Sequence, residues 1–225
     1  MNIIWEDGRL IICEKPVQVL SQPAPEGGED MLTLLSQYRV QKGELAQVFP
    51  IHRLDCGVGG LMVFAKDSKT AGQLSTLIQQ KDFCKEYLAV IHGTPELPQG
   101  VFADLLFRDA TRNKTYVVKR QRRGVREAEL EYTLLETVDW QGSPLSLVRV
   151  HLLTGRTHQV RVQFASRKLP LFGDGRYGAR DGGGDLALWS TRLAFRHPSG
   201  TGEVDVSLLP PLQFPWTLFS QHREE

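Results

Sequence analysis

The stretch IHRLDCGVGGLMVFAKD, residues 51–67, consists of two unlike halves. Its second half, residues 61–65, is apolar at every position, which is typical of a strand that is buried on both faces. Its first half places His52, Arg53 and Asp55 close together, and three glycines follow within four residues. The sequence therefore predicts a loop that carries an imidazole, a guanidinium and a carboxylate at the mouth of a buried strand.

Asp55 is the residue of this loop that is best suited to chemistry. In the structural interpretation, it is a turn aspartate that accepts hydrogen bonds from backbone amides. In the functional interpretation, Arg53 and Asp55 point the same way on an extended segment, while Leu54 anchors the loop in the core. The glycines that follow would also let a bulky partner approach the backbone. We therefore expect a carboxylate that acts as nucleophile or base, with its ionised form stabilised by a nearby cation.

The rest of the chain has more strands than helices, and the strands come in clusters. Strands are expected at residues 2–16, as a pair that turns at Asp7–Gly8 and is stopped by Pro16, and at 61–65, 84–93, 128–136, 145–152 and 187–198. Helices are expected around residues 31–39, after a cap at Asp67 or Ser68, and after a cap at Thr157. The loop 174–185 is expected to be exposed and mobile, because Gly182–Gly184 hold a fixed backbone only at high entropic cost. This order favours an α+β fold over a regular alternation of strands and helices.

Composition limits the class of protein. The chain has 225 residues, of which 41% are hydrophobic and 24% charged, as is typical of globular domains rather than disordered chains. No apolar run approaches the roughly 20 residues that a membrane span needs, and the first residues lack the pattern of a signal peptide. The three cysteines are scattered and are interpreted as reduced thiols. A cytoplasmic protein without a membrane partner is therefore expected.

Positive charge is concentrated in one segment, residues 108–126, which we call the basic segment. It contains eight of the 27 basic residues and one of the 26 acidic residues, so that it carries +7 while the rest of the chain carries −6. A solvated hairpin is one interpretation, since charge runs commonly lie on a solvent-exposed face. An arm that faces phosphate groups is the other. The sequence position leaves both open.

Two further blocks contain polar residues whose role the pattern leaves open. Tyr87 lies in the middle of a predicted strand, where a tyrosine packs in the core more often than it reacts. Arg156, His158 and Arg161 lie near the start of the last predicted helix. They could form a charged, exposed helix face, or the polar run 154–159 could form a helix start that binds an anion.

A metal-dependent hydrolase using His52, Asp55 and His158 is a further hypothesis. No compact third ligand cluster accompanies these residues in the sequence, and the other histidines are single residues without ligand spacing. A phosphate-binding loop of the Gly-x-x-x-x-Gly-Lys-Ser/Thr kind is also absent from the sequence. Neither a metal nor a nucleotide cofactor is therefore expected.

Four blocks, in this order, resemble the pseudouridine synthases, and more narrowly their RluA-like branch, which acts on ribosomal and transfer RNA. The blocks are HRLDCGVGGLMVFAK, KEYLAVIHG, TGRTHQVRVQFAS and PLFGDGRYG, and the opening IIWEDGRLIICEKP also fits. The resemblance covers residues 3–198. It implies an α+β catalytic fold with a mixed, largely antiparallel central sheet, flanking helices and a central active-site cleft. We expect residues 1–225 to form a single catalytic domain with a tail at about 208–225, without the N-terminal S4-type RNA-binding domain that many relatives carry.

The resemblance implies an isomerase that converts specific uridines of ribosomal or transfer RNA to pseudouridine after flipping the base out of the helix. By position, Asp55 is the catalytic aspartate and Arg161 is its basic partner. Tyr87 is the tyrosine that lies against the uracil ring and helps to remove the C5 proton. Arg53 helps to displace the target base, and Leu188 packs in the pocket.

The expected site therefore has three groups of residues. The catalytic group is Asp55, Tyr87 and Arg161; the substrate-binding group is His52, Arg53, Arg156, His158 and Leu188; the RNA-backbone group is Lys119, Arg120, Arg122 and Arg123. RNA is the expected partner, and the enzyme is expected to be a monomer.

Two departures from the family pattern keep an alternative open. Val58–Gly59 stands where the family usually has Thr-Ser, which removes two hydroxyl groups beside the catalytic loop. Leu188–Ser190 reads Leu-Trp-Ser where Leu-His-Ala is common. A catalytically inactive RNA-binding relative is therefore the main alternative, and the metal-dependent hydrolase is the other.

Overall fold

The computed structural model describes residues 2–25, 27–181, 184–200 and 202–220. The strands are β1 (Ile3–Glu6), β2 (Leu10–Lys15), β3 (Phe49–Pro50), β4 (Gly59–Ala65), β5 (Phe83–His92), β6 (Gln99–Asp109), β7 (Lys114–Val118), β8 (Val125–Trp140), β9 (Ser143–Leu152), β10 (Leu188–Arg196) and β11 (Glu203–Ser207). The helices are α1 (Met31–Gln41), α2 (Ser68–Gln80) and α3 (Gln159–Ser166), with 3₁₀ turns at Gly175–Tyr177 and Trp216–Leu218. The predicted α+β class is confirmed.

The chain divides into two compact units. The first unit combines residues 1–85 with 190–208, and the second combines residues 86–189 with 209–225. Each unit is thus completed by a segment that is distant in sequence. That residues 1–225 act as a single catalytic domain stays a prediction.

The first unit contains the strand that the opening stretch predicts. All seven residues of β4 are buried, and β4 pairs antiparallel with β2 and β3. Strand β1 pairs with β2, β10 lies next to β4, and β11 pairs with β10. The turn at Asp7 is fixed because its Oδ1 accepts 2.7 Å hydrogen bonds from the N–H groups of Arg9 and Leu10. Phe83 and Phe195 stack in the core of this unit at 4.6 Å between ring centroids.

The first two helices begin where the sequence predicts. Asp30 caps α1 by accepting a 3.0 Å hydrogen bond from the N–H of Thr33. Asp67 caps α2 by accepting a 2.8 Å hydrogen bond from the N–H of Thr70. These caps satisfy backbone donors that have no partner inside the helix. None of the helices in the described ranges is long and apolar enough to cross a membrane.

In the second unit, antiparallel pairing runs in the order β5–β9–β8–β6–β7. The strand that was predicted at 128–136 extends from Val125 to Trp140, with a register shift between Leu134 and Glu136. Strands β6 and β7 were not predicted as separate strands. Only Phe102 and Leu106 of β6 are buried, so the apolar alternation that marks a strand is weak there.

Helix α3 does not begin at the predicted cap. His158 occupies the cap position with φ 55°, and its side chain makes no capping hydrogen bond. Instead, Oε1 of Gln159 accepts hydrogen bonds from the hydroxyl of Thr154 at 2.8 Å and from the N–H of Arg156 at 3.0 Å. The prediction of Thr157 as the cap is wrong, because His158 occupies the cap position.

Candidate active site

The loop between β3 and β4 presents Asp55 from a fixed base. Leu54 is 7% exposed, and its N–H donates to Oγ of Ser21 at 3.0 Å, while the serine hydroxyl donates back to the carbonyl oxygen of Leu54 at 2.7 Å. The N–H of Val58 donates to the carbonyl oxygen of Asp55 at 3.0 Å and closes a turn. Asp55 is half-buried, and Arg53 is exposed. Leu54 therefore anchors the loop, as expected, between two charged residues that reach the surface.

Lys15, at the end of β2, supports this loop and was not predicted as a site residue. It is fully buried, and its Nζ donates to the carbonyl oxygens of Pro16, Val19 and Cys56 at 2.8, 2.6 and 3.1 Å. Three acceptors match the three donors of an ammonium group. Burial lowers the pKa of Lys15 to about 8, against the opposing influence of Cys56 and Asp55. The signal that could have identified it is a lysine directly after the buried apolar run of β2.

His52 is held inside the first unit. Its Nε2 accepts a 3.3 Å hydrogen bond from the N–H of Val63 in β4, and its ring centroid lies 6.2 Å from that of Phe83. Burial, with a smaller contribution from Lys85, lowers the pKa of His52 to about 3. The ring is therefore neutral and ties the loop to β4. Its predicted contact with the substrate stays a prediction.

Gly60 shows why a glycine is needed where the loop enters β4. Its φ is +110°, and a Cβ at this position would lie 2.3 Å from the carbonyl oxygen of Ser190. The sequence pattern predicted that the glycines let a bulky partner approach the backbone. At Gly60 that partner is the protein's own strand β10.

Tyr87 and Leu188 are buried in the second unit. Tyr87 lies opposite Val150 of β9 and is 5% exposed. Leu188 is also 5% exposed and opens β10. The residue before it, Ala187, accepts a 3.1 Å hydrogen bond from the N–H of Val90. Both side chains are thus buried, as a pocket wall requires, while their contacts with uracil stay predictions.

Arg161 is held by a carboxylate that the sequence did not indicate. Its Nε donates to Oδ2 of Asp174 at 2.7 Å, and its Nη2 donates to Oδ1 at 2.9 Å. The side chains are 10% and 1% exposed, so the exposed-face interpretation is wrong for Arg161, and the predicted exposed loop 174–185 is buried at Asp174. Gly182 and Gly183, on which that loop prediction also rested, lie outside the described residues. The pairing of Arg161 with Asp55 stays a prediction.

His158 and Arg156 have different surroundings. Nδ1 of His158 lies 2.9 Å from the hydroxyl of Tyr177, and His158 is buried. Arg156 is exposed, and its Nε donates to the carbonyl oxygen of Glu127 at 2.9 Å. The exposed-face interpretation therefore fits Arg156 alone among the three basic residues near the start of α3. Their contacts with the substrate stay predictions.

The basic segment forms the end of β6, strand β7 and the loop 119–124 that leads into β8. The four residues that were assigned to the RNA backbone are exposed in this loop: Lys119, Arg120, Arg122 and Arg123. The guanidinium of Arg122 lies 4.8 Å from the ring centroid of Phe107. The segment is thus an exposed hairpin and loop, and its contact with RNA stays a prediction.

The metal-hydrolase hypothesis needs a cluster of ligands. Within the described part of the chain, no group of three or more His, Cys, Asp or Glu residues could hold a metal ion. His52 accepts a backbone hydrogen bond instead, and His158 bonds to Tyr177. The hypothesis therefore has no ligand set among these residues.

Comparison with known proteins shows the family. The family model for RNA pseudouridylate synthase matches residues 9–166, which is more than half of the chain. The chain belongs to this family. Relatives named ribosomal large subunit pseudouridine synthase D identify the RluA-like branch that the sequence resembles.

Two relatives illustrate the extent of the match. The uncharacterized RNA pseudouridine synthase YhcT of Bacillus subtilis is 31% identical over 215 residues, which are 93% of this chain and 68% of that protein. The ribosomal large subunit pseudouridine synthase D of Haemophilus ducreyi is 30% identical over 217 residues, which are 95% of this chain and 59% of that protein. The chain thus spans about two thirds or less of the length of the curated relatives it matches.

Solved structures show the same fold. Human RNA pseudouridylate synthase domain containing 1 aligns with a TM-score of 0.76 and 23% identity over 94% of this chain and 84% of that one. Human RNA pseudouridylate synthase domain containing 4 aligns with a TM-score of 0.75 and 22% identity over 93% of this chain and 88% of that one. The pseudouridine synthase fold that the resemblance implied is confirmed.

Proposed function

We propose that this chain is an RNA pseudouridine synthase that isomerises specific uridines of ribosomal or transfer RNA, with Asp55 as its catalytic aspartate. The observation that carries the proposal is the position of Asp55. Asp55 is a half-buried carboxylate on a loop whose backbone is fixed by the hydrogen bonds of Leu54 and by the buried ammonium group of Lys15. A loop whose backbone is fixed in this way holds a reacting group in one place, as catalysis requires.

The reaction breaks the bond between N1 of uracil and C1′ of ribose, and joins C1′ to C5 of the same uracil. The base must first leave the helix, because its glycosidic bond is out of reach inside the stack. Arg53 is exposed beside Asp55 and suits this step, because a guanidinium can fill the vacated space and contact phosphate. His52 ties this loop to β4, and its assigned contact with the substrate is part of the same proposal.

Asp55 acts on the ribose in its ionised form. It either attacks C1′, so that uracil leaves as the N1 anion, or removes a ribose proton to start the cleavage. Arg161 is the cation proposed to favour the carboxylate form. Both routes conserve the atoms of the nucleotide, because the uracil that leaves C1′ rejoins it through C5.

Removal of the C5 proton completes the isomerisation. After the detached uracil has turned, C5 bonds to C1′. This step releases the Asp55 carboxylate from C1′ in the first route, or returns the ribose proton from Asp55 in the second. The C5 proton must then pass to a base. Tyr87 is proposed to lie against the ring and to assist this transfer, with Leu188 as the apolar wall. Burial of both side chains in the second unit supports these assignments.

RNA is proposed to contact the basic segment and the start of α3. The backbone contacts are assigned to Lys119, Arg120, Arg122 and Arg123, and further contacts to Arg156 and His158. We propose that the enzyme acts on these RNAs in the cytoplasm as a monomer.

The catalytically inactive alternative has little support from the loop itself. Val58, which stands where the family usually has a threonine, is 2% exposed. Its N–H closes the turn onto the carbonyl oxygen of Asp55 without any side-chain hydroxyl. The turn that carries the aspartate is therefore kept despite the departure.

Pseudouridine formation by the purified chain tests the proposal. Total RNA from cells that lack this gene is incubated with the protein, and pseudouridine is quantified and mapped. The expected result is new pseudouridine at one or a few defined uridines. Binding of the RNA without any new pseudouridine would favour the inactive relative instead.

A further inference from the structure

A short loop of the second unit contacts the proposed catalytic arginine from two sides. We call residues 173–177 the clamp loop. Its turn is closed by hydrogen bonds from the N–H of Asp174 to Leu171 O, and from the N–H of Tyr177 to Asp174 O, at 3.1 and 3.0 Å. Neither Asp174 nor Tyr177 has a part in the reaction proposed above. Their contacts suggest a role through Arg161.

The start of the clamp loop is itself fixed by its surroundings. The N–H of Gly173 donates to Oδ2 of Asp181 at 2.6 Å, and Nε2 of His92 lies 2.9 Å from the same oxygen. Gly173 has φ +76°, and a Cβ there would lie 2.3 Å from the carbonyl oxygen of Asp185. The loop therefore has little freedom to shift at its start.

Asp174 fixes the plane and direction of the Arg161 guanidinium. A bidentate arginine–carboxylate pair has one preferred geometry, with both groups in a common plane. This pair uses Nε and Nη2 of the arginine, and the aspartate side chain is 1% exposed. Two of the five N–H donors of Arg161 point at Asp174.

Tyr177 supports the same arginine from another side. The guanidinium of Arg161 lies 5.2 Å from the centroid of the Tyr177 ring, within the range of a cation–π contact. The Tyr177 hydroxyl lies 2.9 Å from Nδ1 of His158 and accepts a 2.8 Å hydrogen bond from the N–H of Thr115. Burial raises the pKa of Tyr177, so the phenol keeps its proton at neutral pH.

The clamp loop is also bonded to the hairpin of the basic segment. Nζ of Lys114 donates to Arg176 O at 2.8 Å, and Nη1 of Arg176 donates to Asn113 O at 2.9 Å. The hydroxyl of Thr115 donates to Thr157 O at 2.9 Å, just before α3. The hairpin, the clamp loop and the start of α3 therefore form one hydrogen-bonded group.

We propose that Asp174 and Tyr177 are positioning residues, which fix the guanidinium of Arg161 and join it to the basic segment. RNA that is held by the basic segment then meets an arginine whose direction is already set. The inference rests on the proposed function, because it gives Arg161 a role in uridine isomerisation. It adds two residues that do not touch the substrate themselves. They determine the direction from which Arg161 contacts it.

Tyr177→Phe tests the proposal, because it keeps the ring against Arg161 and removes only the hydroxyl. We expect the single-turnover rate at saturating RNA to fall by about tenfold to a hundredfold, while the RNA dissociation constant changes less than about twofold. The folded fraction of Asp174→Asn should likewise show a lower single-turnover rate with a nearly unchanged RNA dissociation constant. A purely structural role would lower the urea midpoint but leave the rate of the folded fraction unchanged.

Tyr132→Phe is the matched control. Its hydroxyl donates to Leu97 O at 3.3 Å in the same unit. Its single-turnover rate should stay within about twofold of the wild-type value, the usual outcome where no key interaction is removed. An equal loss in Tyr132→Phe and Tyr177→Phe would overturn the proposal.

A double variant shows whether Tyr177 acts through Arg161. Arg161→Lys keeps the charge and loses the fork, so Tyr177→Phe in that background should lower the rate by less than about twofold. The full loss in both backgrounds would overturn the proposal, as would a wild-type rate in Tyr177→Phe alone. An inactive wild-type protein would instead overturn the proposed function and this inference together.

Discussion

Two arginines near the start of α3 differ in ways that the sequence does not reveal. Arg161 is buried and paired with Asp174 through two hydrogen bonds, whereas Arg156 is exposed and donates to one carbonyl oxygen. A buried charge whose partner is removed is strongly destabilising, because the remaining charge has neither water nor a counter-ion. The burial of Arg161 and its pairing with Asp174 both indicate that Arg161, rather than Arg156, is held in a fixed position.

We predict that Arg161→Ala lowers the single-turnover rate far more than it weakens RNA binding. It should also destabilise the fold by about 3–5 kcal/mol, because Asp174 is left buried without its partner. Arg161→Lys should keep part of the activity, since the charge remains while the bidentate geometry is lost. The measurement is the rate at saturating RNA, corrected for the folded fraction from urea unfolding.

Arg156→Ala is the control for this comparison. It removes an arginine five residues away in the same block, and the free energy of unfolding should change by about 0.5 kcal/mol or less. A severe loss of rate in Arg156→Ala together with a mild one in Arg161→Ala would mean that the wrong arginine has been assigned.

Lys15 gives a second prediction at this scale. Lys15→Met keeps the length of the side chain but leaves the carbonyl oxygens of Pro16, Val19 and Cys56 without their shared donor. Unsatisfied buried groups cost about 1–3 kcal/mol each, so the urea midpoint should fall clearly. The single-turnover rate should fall as well, because Cys56 follows Asp55 directly.

Lys69→Met is the matched control, since Lys69 is an exposed lysine of the same unit. It should leave both the urea midpoint and the rate near their wild-type values. If Lys15→Met behaved like Lys69→Met, the buried ammonium would have no part in holding the loop.

The sequence offered candidates for the reactive residues but did not indicate the residues that hold them in the structure. Asp55 was predicted because a carboxylate on a glycine-rich loop is a local feature. Lys15, Asp174 and Tyr177 were missed because each acts on a partner in another part of the sequence. Asp174 in particular lies in a run of glycines that is typical of an exposed loop, and its burial depends on Arg161, 13 residues earlier.

At the scale of the elements, local patterns predicted most of the fold. The continuous apolar run of β4 and the aspartate cap of α2 were confirmed, because each depends on neighbouring residues. Strands β6 and β7 were missed because only two residues of β6 and one of β7 are buried, so that the apolar alternation is weak in both. The start of α3 was misplaced because His158, with φ 55° and no capping hydrogen bond, occupies the cap position that a polar pattern assigned to Thr157.

The basic segment is the element proposed to follow RNA phosphates. Each phosphate contact releases counter-ions, so RNA binding should weaken linearly with log salt by about 0.7–0.9 per contact. Replacement of its four loop residues should raise the dissociation constant and flatten this slope, while the single-turnover rate at saturating RNA stays near wild type. The variant carries alanine at Lys119, Arg120, Arg122 and Arg123.

A control with the same change in charge separates local contacts from overall charge. It carries alanine at four exposed basic residues outside the basic segment, Arg9, Lys69, Arg180 and Arg196. Its salt slope should match that of the wild type. Parallel lines for the wild type and the basic-segment variant would remove this segment from the RNA-binding surface.

The pairing of the Asp55 loop with β4 through His52 makes stability depend on pH. The pKa of His52 is lowered from 6.5 to about 3, so the unfolded chain binds a proton below pH 6.5 that the folded chain does not accept until about pH 3. The stability from the neutral ring is present above pH 6.5 and is lost as the pH falls, by at most about 1.4 kcal/mol per pH unit.

We predict that His52→Gln, which can still accept the hydrogen bond from Val63, flattens the fall in urea midpoint between pH 6.5 and pH 4. His151→Gln is the control, because His151 is partly exposed and bonded to Glu131 on the surface. It should keep the wild-type slope. An unchanged slope in His52→Gln would contradict a neutral His52 ring in the folded protein.

For the whole molecule, the distribution of charge favours one direction of approach by RNA. The net charge is +1, but +7 lies in the basic segment and −6 in the rest of the chain. A polyanion is attracted to the basic segment and repelled by the net negative charge of the rest of the chain, so that long-range electrostatics can orient it before contact. This agrees with a family that acts on RNA and with a chain whose match to that family includes the whole basic segment.

Release of tritium from RNA labelled at C5 of uridine tests the central assignment most directly, because pseudouridine formation must remove that hydrogen. The wild-type protein should release it, and Asp82→Asn, a change of an exposed aspartate in the same unit, should release it at a similar rate. Asp55→Asn should lower the rate by at least about a thousandfold, about 4 kcal/mol of barrier, while it folds and binds RNA normally. A rate for Asp55→Asn within about tenfold of the wild-type rate, about 1.4 kcal/mol, would contradict the assignment of Asp55 as the catalytic aspartate.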